Sequence, residues 1–436
     1  MTPRRGGETG SSMTYRASER EVVVAMTDMA QFSQLSAGMT PEEIRDFLIR
    51  YHSIIFDIIS QQESQPVEVE PSAGDGSLII FDKRPGEDRR GVCTRAVQAA
   101  LRMAEAISAG TLVPTRMGLF LGTMTEALIG TKMAKFGSCF SIANRIEGLC
   151  GYFGTHFLMD REVAKNQQEE QRRLVDVAKV TLASVPHPLR LYTVYRRGIQ
   201  GIPQNTDDNE LQGLVRRKNQ AMGCFSGNRR AQREPDFPRA REELLEVQRR
   251  FERVVGHPDL GTECILEYIR EHPFPEPRFR ARGMKLGEGK QDISKARLCH
   301  MSCGLLRAIN PGYYRALVED TTWEQYFQLE WIKKGTTIIE IGSLPDGVYY
   351  LENGVAEIYN EDAMPVATLE AGAIFGELAY FGKERKRTAT VKAKTDLVLR
   401  KISTDDFEKL PVIMLIFEEI ARRRLTLVAA DCHEQS

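Results

Sequence analysis

Along this chain the spacing of apolar residues changes twice, and each change implies a different kind of core. From about residue 323, "TTIIEIG", "GVYYLENGVAEIY", "VATLEAGAIFGELA", "RTATVKA" and "LVLRKIS" are strand-like runs broken by glycine. Short strands so closely spaced imply a small β-barrel or jelly roll, and a last helix over "PVIMLIFEEIARRRLTLV" would cover it. Residues 20 to about 198 instead alternate the two periods. "EVVVAMT" is β-branched. In "PEEIRDFLIRYHSIIFDIIS" the residues Ile44, Phe47, Leu48, Tyr51, Ile54, Ile55 and Ile58 recur at helical spacing behind Pro41. "SLIIF" reads as a strand and "GVCTRAVQAALRMAEAIS" as a helix. "PTRMGLFLG" and "TEALIG" read as two strands joined by a tight turn, ahead of the helix "CFSIANRIEGLC". This alternation predicts a mixed α/β sheet carrying helices.

Between these blocks, "GIQGIPQNTDDNELQG" is turn-rich and marks a boundary. Helices are expected beyond it at "PRAREELLEVQRRFERVV", "DISKARLCHMSCGLLRAI" and "GYYRALVE". The predicted organisation is a disordered lead-in at 1–19, an α/β domain at 20–198, a linker and helical connector at 199–322, and a β domain at 323–436. A chain of 436 residues is too long for one ordinary core, which agrees. A net charge of −1 gives no global field toward nucleic acid or membrane. Apolar runs such as "VIMLIF" at 412–417 fall far short of a bilayer span, so no membrane association is expected. Eight scattered cysteines without a secretory signal point to a reducing cytoplasm.

The stretch "FGELAYFGKERKRTATVKA" at 375–393 mixes a Phe-Gly-Glu turn, an apolar step and an arginine in a strand-like run. Bare backbone amides at a short helix start, with one arginine beside them, can hold a phosphate. Gly376 permits that approach, Arg387 could fold back to the anion, and Glu377 could accept a sugar hydroxyl. The stretch resembles the phosphate-binding cassette of cyclic-nucleotide-binding domains, in which F-G-E-L-A is followed by R-[A/T]-A-T-V. The likeness covers roughly 323–425 and includes the hairpin "DGVYYLENGVAEI". It implies that Arg387 meets the cyclic phosphate and Glu377 the ribose 2′-hydroxyl. Phe375, Gly376, Leu378 and Ala379 would shape the turn, with Thr388 and Ala389 after the arginine. The implied ligand is cAMP or cGMP.

In "AMTDMAQFS" Asp28 ends a strand, and in "SAGDGSLIIF" Asp75 lies in a Gly-Asp-Gly turn before the next. Two carboxylates at turns beside sheet strands could converge on a pair of divalent cations, or could simply be caps and turn formers. Residues 20–198 resemble the class III nucleotidyl cyclase catalytic domain, a ferredoxin-like α+β fold. "TDMAQFS" is similar to F-x-D-[IV]-x-[GN]-F-[ST], "AGDGSLIIF" to G-D-G-[FL]-[LM]-x-x-F, and "GSCFSIANRIEGL" to G-D-x-V-N-x-A-x-R-[ILM]-E-x-L. The resemblance implies a head-to-tail dimer, Mg2+ or Mn2+ on Asp28 and Asp75 with backbone help from Met29, and Arg145 as the transition-state arginine. It implies conversion of a nucleoside triphosphate to a 3′,5′-cyclic monophosphate and pyrophosphate. The sequence departs from the pattern where Ser141 replaces the partner asparagine. Pro71 and Ala134 fall on the base-reading positions, and Ala183 on the phosphate-binding lysine. Three readings stay open: an active homodimer, the metal-carrying half of a heterodimer, and a module that only binds nucleotide or dimerises.

Weaker signals favour structure over chemistry. Cys299, His300 and Cys303 lack further metal ligands in register, and Cys93, Cys139 and Cys150 are expected in a core. The basic stretch Arg216–Arg233 carries only Phe225 among its aromatics, and no helix-turn-helix follows the β domain, which argues against a nucleic-acid partner. The cyclase-like block begins close to the first residue, so regulation is expected from the C-terminal side or from the reaction product, with cyclic nucleotide at Arg387 acting through the final helix and the connector.

Overall fold

β-branched residues on alternate faces make β1 (Ser18–Met29) a central strand buried on both sides. The computed structural model describes residues 18–286 and 322–434, apart from 62–64, 66–67, 73, 130–131, 183–184, 228–231 and 383–384. Most of the expected lead-in, and the helices expected at 292–309 and 312–319 with Cys299, His300 and Cys303, lie outside the described residues.

β1 pairs antiparallel with β3 (Gly76–Phe81) on one side and β4 (Thr115–Ile129) on the other. The nine-stranded sheet continues outward, with β2 (Glu68–Ser72) beyond β3 and β6 (Phe157–Asp160), β8 (Leu189–Val194), β7 (Leu174–Thr181) and β9 (Met284–Lys285) beyond β4. β5 (Lys132–Phe136) folds back on β4 as a hairpin arm. Val23 and Ala25 meet α2 (Pro41–Ile59) and α3 (Arg89–Ser108) in one core, whereas Val22 and Val24 meet α4 (Ser138–Phe153) in another. Helix α2 opens with a capping box between Thr40 and Glu43, with Pro41 in its first turn. Cys93, Cys139 and Cys150 are buried core thiols.

One expectation is corrected. The tight turn placed inside 114–130 does not exist, because β4 is a single strand of 15 residues. Gly122 marks close helix packing instead: a Cβ there would lie 2.9 Å from the Cys139 Cβ.

The connector is a packed layer. α6 (Asp208–Ser226), α7 (Phe237–Val255), α8 (Leu260–Glu271) and α9 (Phe279–Arg282) bury Phe225, Phe237, Leu244 and Ile265 against Leu158, Ala178 and Leu191 of the sheet. Within the basic stretch, Lys218 is buried. It bonds to Tyr195 Oη at 2.6 Å and pairs with Asp259.

The C-terminal strands form a sandwich of two four-stranded sheets. One is β10 (Gln328–Ile332), β17 (Leu397–Ser403), β12 (Gly347–Asn353) and β15 (Ile374–Phe375). The other is β11 (Thr337–Ile339), β16 (Thr390–Ala393), β13 (Val355–Tyr359) and β14 (Pro365–Glu370). The final helix, Pro411–Glu434, packs Ile413, Ile416 and Phe417 on Phe407 and Ile402. The sandwich also lies directly against the first domain, where Trp331 meets the Phe47 ring edge-on at 5.6 Å. Among the described residues no helix is long and apolar enough to cross a membrane.

Candidate functional site

β15 delivers the chain into Gly376 at φ 86, a left-handed conformation, and the short helix Glu377–Phe381 starts there. A Cβ on Gly376 would come 2.7 Å from Arg387 Nη1 and 3.1 Å from the Tyr349 ring, so this corner admits no side chain. Arg387 is not within a strand, as its run suggested. It precedes β16 in an irregular segment and reaches back 11 positions to donate from Nη1 to the Gly376 carbonyl at 2.8 Å.

The Arg387 residue is 4% exposed. Its Nη2 donates to the Gly347 carbonyl at 2.9 Å and to Asp346 Oδ1 at 2.7 Å. Asp346 also takes Lys401 Nζ at 2.6 Å and Tyr349 Oη at 2.9 Å. Burial alone would raise the Asp346 carboxyl, but hydrogen bonds from Lys401, Arg387 and Tyr349 outweigh it and hold it down at about 2. Tyr349 stacks on Phe375 at 5.1 Å, which braces the turn. Glu377 and Ala379 are buried, Leu378 and Ala389 half-buried, and Thr388 exposed. Asp346, Tyr349 and Lys401 were missed in the sequence. The one available signal was an acid directly ahead of the strand in "DGVYYLENG".

In the first domain, Asp28 closes β1 and Asp75 sits in the turn ahead of β3, after Gly74 at φ 94. At Gly76 a Cβ would meet the Thr27 carbonyl oxygen at 2.7 Å, and this close approach sets the two carboxyls side by side. Burial pushes the Asp75 carboxyl up to about 6, and the neighbouring Asp28 adds to the shift by its charge and a hydrogen bond. Arg116 lies opposite Asp28 across the β1–β4 register and hydrogen-bonds to it. The Nε of Arg116 stands 2.9 Å from Glu147 Oε1. Burial raises Glu147 to about 7 despite the pull of Arg116. Arg116 was the second group missed in the sequence. Its signal was a lone arginine ahead of the apolar run "MGLFLG" in β4.

Met29 buries its side chain in the core and presents only its backbone at the end of β1. Ser141 and Arg145 are exposed one helical turn apart on α4, whose Ala143, Ile146 and Glu147 are buried. Neither hydrogen-bonds to Asp28 or Asp75 among the described residues. Pro71 is exposed on β2 and Ala134 half-buried on β5, whereas Ala183 lies outside the described residues. Lys135, next to Ala134, ties β5 to β2 through Glu68 at 2.7 Å and Glu70 at 2.8 Å. Among the described residues no three His, Cys, Asp or Glu side chains converge as a self-contained metal cage. Paired carboxylates at a strand end fit a hard cation that takes its remaining ligands from phosphates and water.

A family model for the adenylate and guanylate cyclase catalytic domain matches residues 14–182, and one for the cyclic nucleotide-binding domain matches residues 329–411. The chain is 39% identical over 124 residues to a cAMP-dependent protein kinase regulatory subunit of Aspergillus fumigatus, covering 27% of each chain. It is 24% identical over 166 residues to adenylate cyclase 1 of Rhizobium meliloti, covering 36% of this chain and 24% of that one. The chain thus spans about a quarter of the length of these two curated relatives. Among solved structures, adenylyl cyclase CyaB from P. aeruginosa matches at 18% identity and a TM-score of 0.35, over 42% of this chain and 96% of that one. The structure of Sp-2Cl-cAMPS bound to PKAR CBD2 matches at 22% identity and a TM-score of 0.26, over 32% and 86%. The chain joins an adenylate and guanylate cyclase catalytic domain to a C-terminal cyclic nucleotide-binding domain.

Proposed function

We propose that this chain senses a cyclic nucleotide with its C-terminal sandwich and carries a divalent-metal nucleotidyl cyclase site in its first domain. The observation that carries the reading is the buried Arg387 guanidinium, held at the Gly376 turn and paired with an anion that belongs to the chain itself. Asp346 is 56% exposed at its side chain, so a ring phosphate can take over Arg387 without opening the core. Glu377, at the start of the short helix, is the acceptor for the ribose 2′-hydroxyl. cAMP and cGMP both satisfy these contacts.

In the first domain, Asp28 and Asp75 would hold Mg2+ or Mn2+ with the Met29 backbone beside them. Such ions neutralise triphosphate oxygens and ease loss of a proton from the attacking 3′-hydroxyl. Arg116 offsets the charge of the carboxylates, while Glu147 anchors Arg116 from behind. Exposure of Arg145 and Ser141 supports a site completed by a second subunit. So do Leu128, Ile129, Met133 and Phe136, which are about half exposed on the β4–β5 arm.

A second reading, a sensor whose cyclase domain only binds nucleotide or dimerises, is favoured by Pro71 and Ala134, which supply no side-chain hydrogen bonds to a base. Purified protein with Mn2+ and each of ATP, GTP, CTP and UTP separates the two. Cyclic product from the protein alone supports the cyclase, and silence with all four at high protein concentration sinks an active homodimer and leaves the sensor or a half-site that needs a different partner chain.

Metal binding carries a pH signature. Asp75 is protonated below about 6, and a cation needs the carboxylate. Mn2+ affinity, measured by calorimetry, is expected to fall about tenfold from pH 7 to pH 5 and to change little above pH 7.

A further inference from the structure

In the motif around Asp28, the position usually held by glycine or asparagine is Gln31. It adopts φ 69 and is 8% exposed. Left-handed backbone is disfavoured for a residue that carries a side chain, so the surroundings must hold it there. The holder comes from the other domain: Arg400 on β17 donates from Nη2 to Gln31 Oε1. Arg400 Nε also pairs with Glu352 on β12, and the two side chains are 3% and 5% exposed. A buried ion pair is tolerated when its remaining donors are satisfied, and the Gln31 carbonyl takes one of them. Gln31 Nε2 has no hydrogen-bond partner among the described residues. An unsatisfied buried amide is costly, so the contact is poised rather than locked.

The neighbour of Arg400 on β17 is Lys401, which holds Asp346, the anion on Arg387. In register, Tyr350 faces Arg400 and Tyr349 faces Lys401. Successive strand residues point to opposite faces. One strand therefore carries the nucleotide corner on one face and the grip on the metal loop on the other. Around this contact Trp331 and Val398 join the core of Phe47 and Tyr51, and the Gly354 amide donates to the Gly110 carbonyl at 3.0 Å. The two domains share a continuous apolar seam, and Gln31 lies three positions from Asp28 within it.

We infer that Arg400 couples the two sites: when nucleotide takes Arg387 from Asp346, the Lys401–Asp346 pair shifts β17, and Arg400 then alters the hold on Gln31 and the Asp28 loop. Gln31 is a positioning residue in this scheme and does not touch the metal. The route bypasses the final helix and the connector, through which regulation was expected from the sequence. It rests on the reading that Arg387 binds cyclic nucleotide and that Asp28 with Asp75 binds metal.

The test is Mn2+ calorimetry on the full chain, with and without saturating cAMP or cGMP, for wild type, Arg400→Met and the double variant Arg400→Met/Glu352→Gln. The double variant guards against a buried, unpaired Glu352. Nucleotide is expected to change wild-type Mn2+ affinity about fivefold or more, and Mn2+ to change nucleotide affinity by the same factor. Both variants should bind nucleotide within about twofold of wild type and show no change in Mn2+ affinity, because a coupling of fivefold or more would have been cut. A shift that survives in both variants, or no shift in a wild type that binds both probes, overturns the coupling alone. Failure of the wild type to bind either probe overturns the underlying reading, and the coupling with it.

Discussion

Asp28→Ala is expected to lower Mn2+ affinity at least about 100-fold and to abolish any Mn2+-dependent turnover. The substitution removes one of the two carboxylates that the β1–β3 approach at Gly76 brings together. It also strips Arg116 of one of its partners, leaving Glu147. A second consequence distinguishes this from general damage. With its negative neighbour gone, the Asp75 carboxyl should titrate below its present value of about 6, since Asp28 charge and hydrogen bonding both raise it. Asp28→Asn keeps the shape and a hydrogen-bond acceptor for Arg116, so it should lose the metal while the fold stays near wild type. Calorimetry for Mn2+ and thermal melting of both variants check the pair of outcomes. Unchanged Mn2+ binding in Asp28→Ala would place the metal elsewhere.

Gly118→Val is expected to cause a large loss of stability in the first domain. A Cβ at this position of β4 would lie 2.2 Å from the Glu147 amide nitrogen and 2.3 Å from the Ala143 carbonyl oxygen. Both obstacles are backbone of α4, so no rotamer change relieves them, and the helix must back away from the sheet. Overpacking of this kind costs about 3 kcal/mol or more. For a domain of this size that lowers the melting temperature by roughly 10 °C. The same displacement would move the helix that carries Ser141 and Arg145, so any turnover should fall further than stability alone explains. A variant that melts within about 2 °C of wild type would show that the helix–strand packing is looser than these distances imply.

The phosphate corner was legible because its parts are local. Gly376, Glu377 and Arg387 lie within 12 residues, and a bare amide turn followed by a basic residue is a short-range pattern. Asp346 and Lys401, 55 positions apart, meet only through the antiparallel register of β12 and β17, which no local period encodes. Asp28 and Asp75 were readable as turn residues at strand ends for the same local reason. Arg116 was not, because its role depends on pairing opposite Asp28. The strands β6, β7 and β8 left too short an apolar run to separate from buried helix, and the packing of α6 to α9 on the sheet depends on contacts far along the chain. Gly122 misled for a physical reason: a glycine needed for close helix approach looks, in sequence, like a turn.

Titration of the full chain with cAMP and with cGMP, by calorimetry, for wild type and Arg387→Ala tests the central claim most directly. The account predicts saturable binding of at least one of the two nucleotides, one per chain, weakened about 100-fold or more when the buried guanidinium is removed. Binding of equal strength in Arg387→Ala, or none in a correctly folded wild type, would contradict it.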